Sequence, residues 1–285
     1  MFRWRSAVVV AALVFLTGVP SIGGAPEAAR DASTTRNVQR ALGLLEYVAG
    51  DYNTAVGPNG TLRDREEYDE QAEFMDEATI ALTAALGNRS SALLDELHAL
   101  RAECEAKRPG SEVIPHFRAL QAHVVAEFRL DIAPRQVPSI AVGRLLYTQA
   151  CAVCHAADGS GRTPVARPLH PRPLDFRARS MDARLSPYAV FSAVTFGVPR
   201  TAMASFELLE ETERWDLAFY VCALRHAPPR DVKSAVSPVS PVLTLKDAAL
   251  GTDADLLRRL QGWPAASRAE QLARWRWSPP LDVGR

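Results

Sequence analysis

The chain has 285 residues, with 33 Lys+Arg against 33 Asp+Glu, a formal net charge of zero and a hydrophobic fraction of 47%. That composition excludes a disordered chain, a collagen and a disulfide-dense miniprotein, and the length predicts two domains, each with its own core. No stretch has the basic density of a nucleic-acid binder, so nucleic acid is excluded as a partner.

The first apolar run, Ala7 to Leu16, follows Arg3 and Arg5 and precedes small residues from Thr17 to Ala25. Charged, apolar and cleavage regions in that order predict a secretory signal over residues 1–25. The run is about half the length a bilayer span needs, and an uncleaved N-terminal anchor is the alternative. An exported, periplasmic protein in a disulfide-permissive compartment is expected.

Charge divides the remainder. Residues 26–134 carry net −8, residues 135–228 net +3 and residues 229–285 net +3. Pro134 and Pro138 mark one junction, and Pro228, Pro229, Pro238 and Pro241 mark the other, because helices stop there. In the acidic segment, Leu42, Leu45, Val48 and Ala49 recur at helical spacing. Asp64 and Glu67 form a capping box for a second helix running to Leu86, and Leu93, Leu97, Leu100 and Cys104 make a third stripe. A fourth helix is expected after Pro115, carrying Phe117, Leu120, Val124 and Phe128. The fold class is therefore all-α: an N-terminal helical bundle over 26–134, a second helical domain over 135–228, and a Pro-rich linker with a short helical tail over 229–285.

The chemistry sits at Cys151-Ala152-Val153-Cys154-His155. Two thiols three positions apart, followed at once by an imidazole, can add across the two vinyl groups of haem while the ring nitrogen binds iron. A zinc site needs a second ligand pair, and neither Cys104 nor Cys222 has a neighbouring Cys or His to supply one. A thioredoxin-like dithiol wants a strand before it, whereas Val142 to Ala150 reads as helix. One covalent haem c is the predicted cofactor. Gly143 and Tyr147 lie a helical turn apart before the motif, and Trp215 to Leu224 is apolar nearly all round, so a close crossing of these two helices is expected.

Iron bound through His155 has a sixth position, for which His170, Met181, Met203 and His226 are candidates. Met203 lies in a Gly/Pro-bearing loop before the last helix and is the best placed, although a lone Met is as often core filler. His170 reads as a loop histidine, Met181 as packing and His226 as a helix-end cation. Cys104 and Cys222 continue apolar stripes and are expected to be buried free thiols, because separate cores would keep them apart.

Residues 137–225 resemble a class I cytochrome c domain. His170 to Phe176 and Thr195 to Phe206 resemble the version fused to bacterial high-affinity iron permeases. Leu44 to Tyr52, Ala55-Val56 and Glu67 to Phe74 are similar to the exported helical domain of those permeases. The resemblance implies that Cys151 and Cys154 attach haem, that His155 is the proximal ligand and that Met203 is the distal one. It departs from the family at Ala204, where proline usually follows the methionine, at Glu210, where Ser or Thr usually caps the last helix, and in lacking the permease's membrane helices and their Arg-Glu-x-x-Glu motifs. The Ala204 change predicts a looser ligand loop, and the Glu210 change loses about 1 kcal/mol of capping.

The sequence is thus read as an exported monohaem electron-transfer protein, with no substrate chemistry, linked to iron uptake. Its redox partner is unidentified, a membrane iron permease being one candidate. The carboxylates of Glu66, Glu67, Asp69, Glu70, Glu73, Asp76 and Glu77 could hold iron ions, though an acidic helix face is usually just solvated. A haem-based sensor or peroxidase with an open or weakly held distal site, and an iron-binding accessory protein, are the alternatives.

Overall fold

The computed structural model describes residues 24–87, 92–229 and 243–280. Nearly all of the expected signal, and the linker prolines Pro238 and Pro241, lie outside them. The described fold is all-helical, with one isolated antiparallel bridge, Val56 to Leu62.

Four helices form the bundle: α1 (Gly24–Ala55), α2 (Arg65–Leu86), α3 (Ala92–Glu105) and α4 (Gly110–Glu127). The stripe read from the sequence on α1 is the core stripe, with Leu42, Leu45, Val48 and Ala49 all buried. Asp64 caps α2 by accepting from the Glu66 and Glu67 amides at 2.9 and 3.1 Å. The reciprocal half of the expected box is replaced, since the Glu67 carboxylate accepts from Thr54 Oγ1 instead. The fourth helix starts at Gly110, not after Pro115. Pro115 sits in its second turn, where the missing bond to the Ser111 carbonyl is tolerated because Val113 and Phe117 on either side are fully buried.

The middle segment holds α5 (Ile140–Leu146), a π turn (Tyr147–Cys151), α6 (Ala152–His155), a 3₁₀ turn (Arg179–Ala183), α7 (Pro187–Phe196) and α8 (Glu211–Leu224). The tail adds α9 (Leu245–Leu250), α10 (Asp253–Arg258) and α11 (Ala265–Trp277). Thr252 and Asp255 form a capping box at the start of α10, bonded reciprocally at 3.0 and 3.2 Å. Thr244 and Asp247 form another on α9. Helix α11 begins directly behind Pro264. Trp277 donates Nε1–H to the His226 carbonyl at 3.0 Å and meets Tyr220 edge-on, so the tail docks on the middle segment.

The expected separate cores are one core. Buried apolar side chains run from α1 and α2 through α7 and α8 to α9 and α11. Glycine makes this possible: a Cβ at Gly43 of α1 would stand 3.0 Å from Ser192 Cβ of α7. Beside it, Asp51 of α1 is ion-paired with Arg184, which follows the 3₁₀ turn. Cys222 is buried as expected, whereas Cys104, in the last turn of α3, is only half-buried; both are free thiols.

Candidate functional site

The site begins at the crossing of α5 and α8. Ser139 caps α5, and its own amide donates to the Asp216 carboxylate of α8 at 2.7 Å. A Cβ on Gly143 would lie 2.0 Å from the Asp216 carbonyl oxygen and 2.8 Å from Tyr220 Cβ, so only glycine permits this approach. Tyr147, one turn on, is buried edge-on against Tyr220 with ring centroids 5.4 Å apart.

From Tyr147 to Cys151 the helix widens into a π turn, a distortion that tends to mark functional sites. The chain then tightens for one α turn and stops at Ala156, whose φ of 62° reverses it. Tyr147 bridges that reversal by donating its hydroxyl to the Ala156 carbonyl at 2.7 Å. The result places Cys151, Cys154 and His155 within one short turn, all half-buried.

Burial, and after it the neighbouring Cys154, pushes the Cys151 thiol up to about 11, so it stays protonated at neutral pH. Burial also lowers the pKa of His155, against an upward pull from the Leu174 carbonyl. The ring is thus neutral, the form that ligates metal. It stacks on Phe176 at 4.7 Å and 15°, and its Nδ1 is buried without an aligned hydrogen-bond partner. Behind the ring, Gly161 donates its amide to the His155 carbonyl at 2.9 Å, and Phe176 donates to the Gly159 carbonyl at 2.9 Å. Gly159 and Gly161 both have positive φ, and a Cβ on Gly161 would stand 2.7 Å from the Pro173 carbonyl oxygen. Two thiols beside a neutral, stacked imidazole suit the covalent anchoring and axial ligation of a haem.

The distal candidates separate clearly. Met181 is buried in the core. His170 is exposed in a loop. His226 is held 3.0 Å from the Asp253 carboxylate of the tail. Met203 is half-buried against the core, on the segment joining α7 to α8. Despite Ala204 this loop is tightly built. Val198 donates to the Met203 carbonyl at 3.1 Å, Met203 to Thr201 Oγ1 at 3.0 Å, Ser205 Oγ to the Thr195 carbonyl at 2.7 Å and Phe206 to the Val194 carbonyl at 2.8 Å. At the start of α8 the Glu213 carboxylate accepts from the Glu210 amide at 3.0 Å, which offsets part of the missing cap.

Phe176, Gly159 and Gly161 escaped the sequence reading as site residues. The His170 to Phe176 string had marked the region, but a ring stacked on His155 is visible only once the loop is folded.

Four of the seven carboxylates on the acidic face of the bundle are taken up by arginines. Asp69 pairs with Arg65, Glu73 with Arg200, Asp76 with Arg101 and Glu77 with Arg40. Among the described residues no three His, Cys, Asp or Glu side chains converge as a metal site. Nor is any described helix long and apolar enough to cross a membrane.

Residues 138–221 match the family described as cytochrome c oxidase, cbb3-type, subunit III. This segment is accordingly a cytochrome c domain, and a domain of that kind binds haem. One solved structure with a match is a chain of the Kuenenia stuttgartiensis reducing HAO-like protein complex, 26% identical. The match covers 40% of this chain and 59% of that one, and its TM-score of 0.30 is too low to carry an argument about the fold. No curated protein matches the chain.

Proposed function

We propose that the protein is an exported monohaem c-type cytochrome that carries single electrons, with His155 and Met203 as its axial ligands. The observation that carries this reading is the turn from Cys151 to His155, where burial keeps the imidazole neutral and the Phe176 stack fixes its plane. Each thiol, Cys151 and Cys154, would add across one vinyl group, forming a carbon–sulfur bond while its proton passes to the other vinyl carbon. Bound haem supplies a one-electron Fe(II)/Fe(III) couple. His155 would hold the iron through an uncharged nitrogen. Met203 would hold it through a thioether, which would favour the reduced state and exclude small ligands.

Export to the periplasm rests on the signal-like order of residues 1–25. The finer reading, electrons passed to or from iron beside a separate membrane permease, rests on the resemblance of the bundle to the permeases' exported domain. The contrast of net −8 on residues 26–134 with +3 on residues 135–228 would orient the protein toward a partner, an effect that fades beyond a Debye length of about 8 Å. With Asp69, Glu73, Asp76 and Glu77 already paired to arginines, direct iron storage on the bundle is the weaker form. Unchanged cellular iron uptake on deletion of the gene would remove the iron link and leave a general electron shuttle.

The test of the whole reading is a visible spectrum of protein matured in a haem-attaching host, reduced with dithionite and then exposed to carbon monoxide. A reduced c-type spectrum that carbon monoxide leaves unchanged is expected. A shift on carbon monoxide would favour the sensor or peroxidase reading, with an open distal site.

A further inference from the structure

The loop that carries Met203 is gripped from outside its own domain. Arg200 lies three residues before Met203 and holds a φ of 59°, in the left-handed region that a non-glycine residue seldom occupies. Its guanidinium is ion-paired with Glu73 of α2. Glu207, four residues after Met203, is ion-paired with Arg36 of α1. The Arg36 guanidinium also sits over the ring of Phe196, the last residue of α7, at 5.9 Å from its centroid. A small cavity of about 50 Å³ lies where the bundle meets this segment, lined from the bundle by Arg40, Tyr47 and Phe74 and from the other side by Phe196, Val198 and Pro199. The loop therefore spans between two points that both belong to the acidic bundle.

Within the loop, the bonds already described transmit that hold to the methionine. Gly197 has a φ of 71°, and a Cβ there would lie 2.6 Å from the Met203 carbonyl oxygen, so the two strands of the loop are in direct contact. A shift of the backbone at Arg200 strains the Val198 to Met203 bond, and a shift at Glu207 strains the Ser205 and Phe206 bonds that close the other side of the loop.

We infer that α1 and α2 act as a clamp on the distal loop, with Arg36 and Glu73 as positioning residues that set how firmly Met203 holds the haem iron. The inference rests on the reading of Met203 as the distal ligand. It assigns the bundle a role inside the redox site: a partner that competes for Arg36 or Glu73 would loosen the thioether without touching the haem. The pairs are largely exposed, and such pairs contribute little to global stability. Their loss should therefore show at the iron before it shows in the melting curve.

The test compares full-length ferric holoprotein with the double variant Arg36→Gln/Glu73→Gln and with Met203→Ala, using imidazole as a competing ligand. Two readouts serve, the methionine–iron charge-transfer band and the imidazole dissociation constant. The clamp predicts a weakened band and about tenfold tighter imidazole binding in the double variant, within the usual range of site-to-site coupling, at an unchanged melting temperature. The charge-reversed pair Glu73→Arg/Arg200→Glu should restore most of the band that Glu73→Arg alone removes. If Met203→Ala abolishes the band while the double variant binds imidazole as the parent does, the clamp is wrong and the ligand assignment stands. If the band survives Met203→Ala, the ligand assignment itself is wrong, and the clamp goes with it.

Discussion

The two sides of the candidate haem site are built differently. The His155 side is braced from within the cytochrome domain: Tyr147 holds the turn, Gly161 and Gly159 tie the following loop, and Phe176 backs the ring. The Met203 side has its own internal bonds, but its flanks at Arg200 and Glu207 are fastened to the bundle. The setting of His155 thus depends on the domain alone, while that of Met203 depends on how two parts of the chain fit together. Perturbations should therefore divide by side.

The largest effect is expected where the proximal side starts. Gly143→Val would drive a side chain into the Asp216 carbonyl, which a Cβ alone already meets at 2.0 Å. The crossing must open, at about 3 kcal/mol or more by the usual scale of overpacking, and denaturant unfolding should show it. Haem attachment should fail with it, because Tyr147 loses its seat on Tyr220.

Met203→Ala should leave stability and attachment nearly intact and act on the iron alone. The midpoint potential should fall, within the roughly 0.8 V range that axial ligands span, and carbon monoxide should bind the reduced protein. If a redox titration shows neither while Met181→Ala or His170→Ala does, the assignment is overturned.

A smaller effect belongs to the junction of the two regions. Asp51 is buried there against Arg184, and burial raises its carboxyl from 3.8 to about 6, with Arg184 opposing. A carboxyl raised on folding is most favourable to the fold below its unfolded value and loses that contribution as pH rises through the folded one. The wild type should thus lose stability relative to Asp51→Asn between about pH 4 and pH 7, by about 3 kcal/mol at most, because a tenfold change in proton affinity is worth about 1.4 kcal/mol. Equal pH profiles for the two proteins would mean that Asp51 is not held in this way.

Much of this contrast was legible in the sequence on one side only. Cys151, Cys154, His155, Gly143 and the apolar Trp215 to Leu224 helix are local signals, and each falls where its pattern places it. The shared core was not legible, because Gly43 against Ser192 and Asp51 against Arg184 join residues more than a hundred positions apart. The polar anchor of the tail was not legible for a related reason. Arg276 reads as a surface cation, yet it is fully buried, with Nε donating to Asp253 at 2.8 Å and its terminal nitrogens donating to the Ala248 and Gly251 carbonyls at 3.0 and 2.8 Å.

The central claim is that one haem is bound covalently through Cys151 and Cys154. Mass spectrometry of the denatured holoprotein, matured in a haem-attaching host and digested, tests it directly. A single haem adduct that survives denaturation and maps to the peptide containing both cysteines is expected. An intact chain without the adduct, or haem released by denaturation, would contradict it.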